Sequence, residues 1–143
     1  MPIISKRVAV VVGHPISQSL SPVIHNHWFE NTSVSGFYMA VDVEPAHLMN
    51  FIQLAKMEML EGFNVTIPHK TKIIPFLDRL APTARQMGAV NTVKIMDDGS
   101  AVGFNTDGIG LVTHLKNTVP DWPKDKPVLI LGAGGAARAA ALG

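Results

Sequence analysis

The sequence contains no cysteine, which excludes disulfides and thiolate metal sites and is compatible with a reducing cytoplasm. It has no excess of charge of either sign: the formal net charge is +1. Its Lys and Arg residues are scattered, so no basic stripe points to nucleic acid and no polybasic run points to an anionic membrane. No apolar run approaches the roughly 20 residues that a membrane-spanning helix needs. Val8–Val12 near the N-terminus is too short for the apolar region of a signal peptide, and no small-residue cleavage site follows it. Metal-ligand spacing is missing as well. His25-Asn26-His27 cannot put both imidazoles on one helix face, and no His-Glu-x-x-His occurs. The six histidines are therefore expected to be surface or core residues, and no metal site is expected. There is no internal repeat and no low-complexity tract. These absences lead to the expectation of a soluble, cytoplasmic protein.

What is present is enough apolar material for a packed core, 47% of 143 residues, in a length typical of one ordinary domain. Val8–Val12 is a β-branched run ending at Gly13 and reads as a strand buried on both faces. Ser21-Pro22 reads as an N-cap followed by proline at the first helical position, with Ile24 and Trp28 on one face of the helix. Gly36–Val41 is a second strand. A helix opening at Pro45 carries the stripe Leu48, Phe51, Ile52, Ala55 and Met59. Gly62–Val65 is a short strand, a helix is expected from Lys70 or Thr71 to Leu77, and a short one over Pro82–Met87. Val93–Met96 and Ala101–Phe104, separated by Asp97-Asp98-Gly99-Ser100, form a hairpin signature. Gly108, Leu111, Val112 and Leu115 mark one more helix. The methionines Met39, Met49, Met57, Met59, Met87 and Met96 are expected to fill gaps in the core.

Strands thus alternate with helices, which is the α/β pattern: a mostly parallel sheet flanked by helices, with one antiparallel hairpin. Residues 1–117 form the first unit. The polar stretch with Pro120 and Pro123 reads as a linker over 118–127. Residues 128–143 then begin a new βα unit, with Val128–Leu131 as its strand.

That strand runs into Gly132-Ala133-Gly134-Gly135-Ala136-Ala137, and a helix is expected to follow. Gly132 permits the tight turn, Gly134 lets the backbone approach a pyrophosphate, and the helix N-terminus offers unpaired N–H donors to the anion. The plainer alternative is a tight strand-to-helix turn with no ligand. Only one βα unit is present, and the residue that would read the ribose, roughly 20 residues further on, is not. The chain therefore reads as truncated, with an incomplete cofactor site and no expected catalysis of its own. Val128–Leu131, lacking sheet neighbours, is expected to be disordered, to dock on its own domain, or to mediate self-association.

Earlier positions carry the polar chemistry. Ser19 and Ser21 at a helix start place two hydroxyls beside unpaired N–H groups, a place suited to a carboxylate; helix capping alone is the simpler use. Lys70 follows Pro68 where a strand gives way to a helix, near the strand ends at which open α/β sheets bind ligands. It could equally be a solvated lysine. Asp107 heads a helix and could merely stabilise its first turn. Asn64, Thr66, Asn91 and Thr106 lie at successive strand ends. Each alone suits a turn, whereas together they suit a polyol, whose hydroxyls need donors and acceptors in place of water.

Four segments, in this order, resemble motifs of the shikimate dehydrogenase family: Gly13–Asn26 with its Ser19-Leu20-Ser21-Pro22, Asn64-Val65-Thr66-Ile67-Pro68-His69-Lys70, Gly88-Ala89-Val90-Asn91-Thr92 and Gly103-Phe104-Asn105-Thr106-Asp107-Gly108. The glycine turn completes the family order. The resemblance implies NADPH-dependent reduction of 3-dehydroshikimate to shikimate, a step of chorismate and aromatic amino-acid biosynthesis. It implies Lys70 and Asp107 as the catalytic pair, Ser19 and Ser21 on the ring carboxylate, Asn64, Thr66, Asn91 and Asp107 on the hydroxyls, and Thr106 among the substrate-binding residues. Residues 132–137 would hold NADP. A homodimer is compatible with the family. Quinate dehydrogenation is the alternative enzyme, and a non-catalytic module that senses a ring acid is the alternative of another class. Having both Lys70 and Asp107 counts against the latter.

Overall fold

The structure, a computed structural model, describes residues 7–57, 60–119, 121 and 126–142. Its centre is a six-stranded sheet. The strands are β1 (Arg7–Gly13), β2 (Gly36–Asp42), β3 (Gly62–Val65), β4 (Arg79–Leu80), β5 (Thr92–Ile95) and β6 (Ala101–Phe104), in the order β2-β1-β3-β5-β6-β4. β1 lies parallel to both β2 and β3, and β4 lies parallel to β6. β5 alone runs the opposite way, antiparallel to β3 and to β6. This is the expected α/β fold with its single hairpin. The turn of that hairpin is closed by Gly99 at φ +77° and by Asp98, whose carboxylate accepts the Ser100 N–H at 2.9 Å. β4 is too short to leave a periodic trace and was not visible in the sequence.

The β-branched run of β1 is buried on both faces, as expected, from Val10 onward. Val10 and Val12 enter the main core with Phe63, Val65 and Val93. Val11 faces the other way, toward Ile16 and Tyr38. Strand alternation thus separates two layers. The main layer is closed by α2 (Leu48–Met57), which follows a 3-10 turn at Pro45–His47 and buries Leu48, Ile52 and Ala55 of its predicted stripe. Phe51 packs at the edge of this core, and Met59 lies outside the described residues.

Several expectations change in detail. The helix α1 (Ser21–Glu30) begins after Leu20, so Ser21 is the first helical residue rather than the cap. Leu20 stands at the cap position without a side-chain cap, and Ser19 Oγ accepts the Ser21 N–H at 3.3 Å. Ile24 and Trp28 share one face of α1, as expected, and both are exposed. The helix expected up to Leu77 is a single turn, α3 (His69–Lys72), followed by a 3-10 turn at Ile74–Phe76. Pro75 has no N–H to continue the α-helical ladder. α4 (Pro82–Met87) ends on Gly88 at φ +58°, a left-handed cap suited to glycine. α5 (Asp107–Thr118) buries only Gly108 of its expected stripe. Met39, Met49 and Met57 are exposed, Met96 is half-buried, Met87 is buried and Met59 lies outside the described residues, so three of the six do not fill the core.

Near the C-terminus, α6 (Gly135–Leu142) forms and packs on α4 and α5, with Ala139 buried. The strand expected at Val128–Leu131 does not: these residues join no ladder, and Leu129 and Leu131 are 82% and 88% exposed. A helix satisfies its own backbone, whereas a strand needs a neighbour to do so.

Candidate active site

The ends of β3 and β6 and the start of β5 meet at one edge of the sheet, because β5 runs in reverse. Asn91 precedes β5 there, Lys70 follows β3, and Asp107 follows β6. Three bonds lock this edge: the Val65 N–H donates to Asn91 O at 2.8 Å, Asn91 N–H to Phe104 O at 3.0 Å, and Val90 N–H to Lys70 O at 2.7 Å. Residues far apart in sequence are thereby held on regular backbone.

Lys70 Nζ donates to Asp107 Oδ2 at 2.7 Å, with side-chain exposures of 19% and 26%. Partial burial weakens screening by water, and the ammonium and carboxylate balance each other's charge. The second carboxylate oxygen, Oδ1, accepts Asn91 Nδ2 at 2.8 Å. Asn91 Nδ2 also reaches Thr106 Oγ1 at 2.8 Å, and Asn91 Oδ1 accepts the Thr106 N–H at 3.1 Å. Asp107 is the first residue of α5, yet its carboxylate does not cap the helix. Buried Asn105 accepts the Asp107 N–H at 2.9 Å and donates to Ala89 O at 2.9 Å. That frees the Asp107 carboxylate for Lys70 and Asn91.

Asn64, on β3, donates to Thr92 Oγ1 at 3.1 Å and to Asn91 O at 3.3 Å. Its Oδ1 accepts the Tyr38 hydroxyl at 2.5 Å. Burial pushes the Tyr38 phenol up to about 12, so it stays a donor throughout the neutral range. His25 stacks on its ring at 4.1 Å between centroids, and burial lowers the His25 pKa.

The turn carrying Lys70 is anchored from below by His69, which is fully buried. His69 Nε2 lies 2.6 Å from Val43 O, and a carbonyl can only accept, so this nitrogen carries the proton. Nδ1 has no hydrogen-bond partner among the described residues. Burial lowers the His69 pKa, in keeping with a neutral ring whose second nitrogen meets nothing.

Ser19 and Ser21 line a hollow of about 190 Å³ that includes Thr66 and Ile67. The same Thr66 and Ile67 border a second hollow of about 470 Å³, lined by Lys70, Gly134, Gly135 and Arg138. Thr66 and Ile67 therefore lie between the serine pair and Lys70. A separate hollow of about 560 Å³ lies on His14, Asp42, Glu44 and His47 and contains none of the expected site residues.

The glycine turn faces this second hollow. Gly132 has φ +127°, and a side chain at Gly134 would meet nothing within 4 Å. Open space over the start of α6 fits an approaching pyrophosphate. Gly135 packs against the Lys70 stem: a Cβ there would come within 3.3 Å of Lys70 Cβ and Cδ. Among the described residues no group of three or more side chains could hold a metal ion, and no helix is long and apolar enough to cross a membrane.

The structure thus gathers Lys70, Asp107, Asn91, Thr106 and Asn64 into one network, with Thr66 linking it to the serines. Sequence reading missed Tyr38, Thr92 and Asn105 as members. Thr92 and Asn105 lie within the motif segments and could have been found there. Tyr38 is hidden in a strand, and only its register beside β1 brings it to Asn64.

The shikimate dehydrogenase substrate binding domain family matches residues 11–93. The chain belongs to the shikimate dehydrogenase family. It is 49% identical over 133 residues to the shikimate dehydrogenase (NADP(+)) of Lysinibacillus sphaericus (strain C3-41), covering 93% of this chain and 48% of that protein. A solved shikimate dehydrogenase in complex with NADP+ is 46% identical, with a TM-score of 0.89 over 95% of this chain and 47% of the other. A shikimate 5-dehydrogenase from Thermus thermophilus, in complex with NADP(H) and shikimate, is 38% identical, with a TM-score of 0.86 over 94% of this chain and 50% of that one. The chain spans about half the length of the relatives it matches. The matched segment includes Ser19, Ser21, Asn64, Thr66, Lys70 and Asn91, so the family assignment rests on the half that carries most of the polar network.

Proposed function

We propose that this chain is the substrate-binding half of an NADP-dependent shikimate dehydrogenase, which reduces the ring ketone of 3-dehydroshikimate to the alcohol of shikimate. The observation that carries the reading is the Lys70–Asp107 pair, 2.7 Å apart and flanked by neutral amides. NADPH, when bound at residues 132–137, would supply the hydride and leave as NADP+. Reduction of a carbonyl builds negative charge on its oxygen, which must be stabilised and protonated as it forms. Lys70 is the donor for that proton, and Asp107 balances its charge and fixes the ammonium's position. Asn64, Asn91, Thr66 and Thr106 bond the ring hydroxyls, and Ser19 and Ser21 take the ring carboxylate. Residues 1–117 form the substrate unit, 118–127 the link, and 128–143 the start of the dinucleotide unit.

The test is turnover of shikimate and of quinate with NADP+, measured on the intact enzyme. Oxidation of shikimate with little turnover of quinate is expected. Preference for quinate would make the protein the other dehydrogenase, and binding of a ring acid without turnover of either would make it a sensor.

A further inference from the structure

Two amides of the cleft are set by partners that cannot change role. Asn91 faces the Thr106 N–H at 3.1 Å, which can only donate, so Oδ1 points there and Nδ2 points at the Asp107 carboxylate. Asn64 places its other polar atom against Asn91 O at 3.3 Å, which can only accept, so that atom is Nδ2 and Oδ1 faces Tyr38. Thr92 stands between these two amides. It is paired directly opposite Asn64 in the β3–β5 ladder, which puts both side chains on one face of the sheet. Its Oγ1 accepts from Asn64 Nδ2 at 3.1 Å and donates to Asn91 Oδ1 at 3.0 Å. A group in that place must accept on one side and donate on the other, as a hydroxyl does.

We infer that the Thr92 hydroxyl is a positioning group that joins Asn64 to Asn91, so that both amides hold one fixed donor–acceptor pattern toward a hydroxylated ring. The inference rests on the proposed ring-acid function, and it assigns a role to a residue that touches neither the ammonium nor the carboxylate. The donors form one directed series: Tyr38 to Asn64, Asn64 to Thr92, Thr92 to Asn91, Asn91 to Asp107. Removing the middle hydroxyl leaves Asn64 Nδ2 with only the longer bond to Asn91 O, and Asn91 Oδ1 with only the Thr106 N–H. Both side chains then gain freedom that substrate binding must remove.

The test compares Thr92→Val, which keeps shape and β-branching, with Thr92→Ser, which keeps the hydroxyl. In the intact enzyme Thr92→Val is expected to raise the KM for shikimate about five- to tenfold, the worth of one lost hydrogen bond, with a smaller change in kcat. Thr92→Ser is expected to stay near the native value. The side-chain NH2 resonances of Asn64 and Asn91, recorded by NMR without ligand, should shift and broaden in the valine variant and not in the serine variant. Unaltered amide signals in the valine variant would overturn the inference, as would equal damage from both variants, which marks a packing role for the threonine methyl. If the native enzyme ignores shikimate while the amide signals still respond to valine alone, the positioning role stands and the substrate reading falls.

Discussion

Two turns whose sequence reads as strand to helix end differently. After β3, the chain passes Thr66 and Pro68 into α3; after Val128–Leu131, it passes Gly132 and Gly134 into α6. Both helices form. Only the first strand does, because β3 has β1 on one side and β5 on the other, whereas Val128–Leu131 joins no ladder. The first turn is also pinned by buried His69 on Val43 O, while the second rests on small contacts such as Gly135 against Lys70. A helix closes its own backbone hydrogen bonds, and α6 gains further support by packing on α4 and α5; a strand, and the rigid ligand platform at its end, needs hydrogen-bond partners from elsewhere in the chain.

The sharpest way to break the comparison is at the rigid turn. In the intact enzyme, Lys70→Ala is expected to lower kcat for shikimate oxidation by about 10²–10⁴-fold, the range for losing a positioned proton donor, with a much smaller effect on shikimate affinity. Steady-state kinetics separate the two, and a collapse of affinity with turnover preserved would remove Lys70 from its assigned role. Next in size is a matched pair of truncations read by denaturant unfolding. Phe63→Ala in β3 is expected to cost about 3–5 kcal/mol, because Phe63 is 3% exposed in the main core. Leu129→Ala is expected to stay within about 0.5 kcal/mol, as for other exposed positions. Equal losses would mean that the two segments are equally embedded.

The smallest effect is a pH dependence. Burial holds the folded pKa of His69 below its ordinary value of 6.5, so the unfolded chain binds the proton first as the pH falls. Stability is then lost as pH drops below about 6.5 and levels off once the folded-state pKa is passed. His69→Asn should flatten that slope, leaving the part due to His25, whose pKa is lowered in the same direction. An unchanged slope in the variant would show that His69 titrates alike in both states.

Much of this was legible in the sequence. Alternating apolar and polar runs revealed five of the six strands, and Asp98-Gly99 announced the hairpin. Lys70, Asp107, Asn91 and Asn64 could be picked out as polar residues at strand ends, since ladders stop where side chains begin to serve other partners. What stayed hidden depends on register. Nothing local reveals that Tyr38 reaches Asn64, because that contact follows from the pairing of β2 with β1 and β1 with β3. The division of labour between Asn105 and Asp107 was equally invisible, since either residue type can cap a helix. Ile24 and Trp28 share one face of α1, as their spacing predicted, and that face is exposed.

The reversed direction of β5 makes the exposed hairpin tip a remote adjusting screw for the cleft. Thr92 is matched to Phe104 and Ile95 to Ala101, so the number of residues between them determines how far Asn91 stands from Asp107. Slipping that match by one residue would slide Asn91 along its strand by about 3.4 Å and turn alternate side chains to the opposite face. A length change at the solvent-facing tip, far from any bound ring, could therefore disable the network while leaving every one of its residues in place.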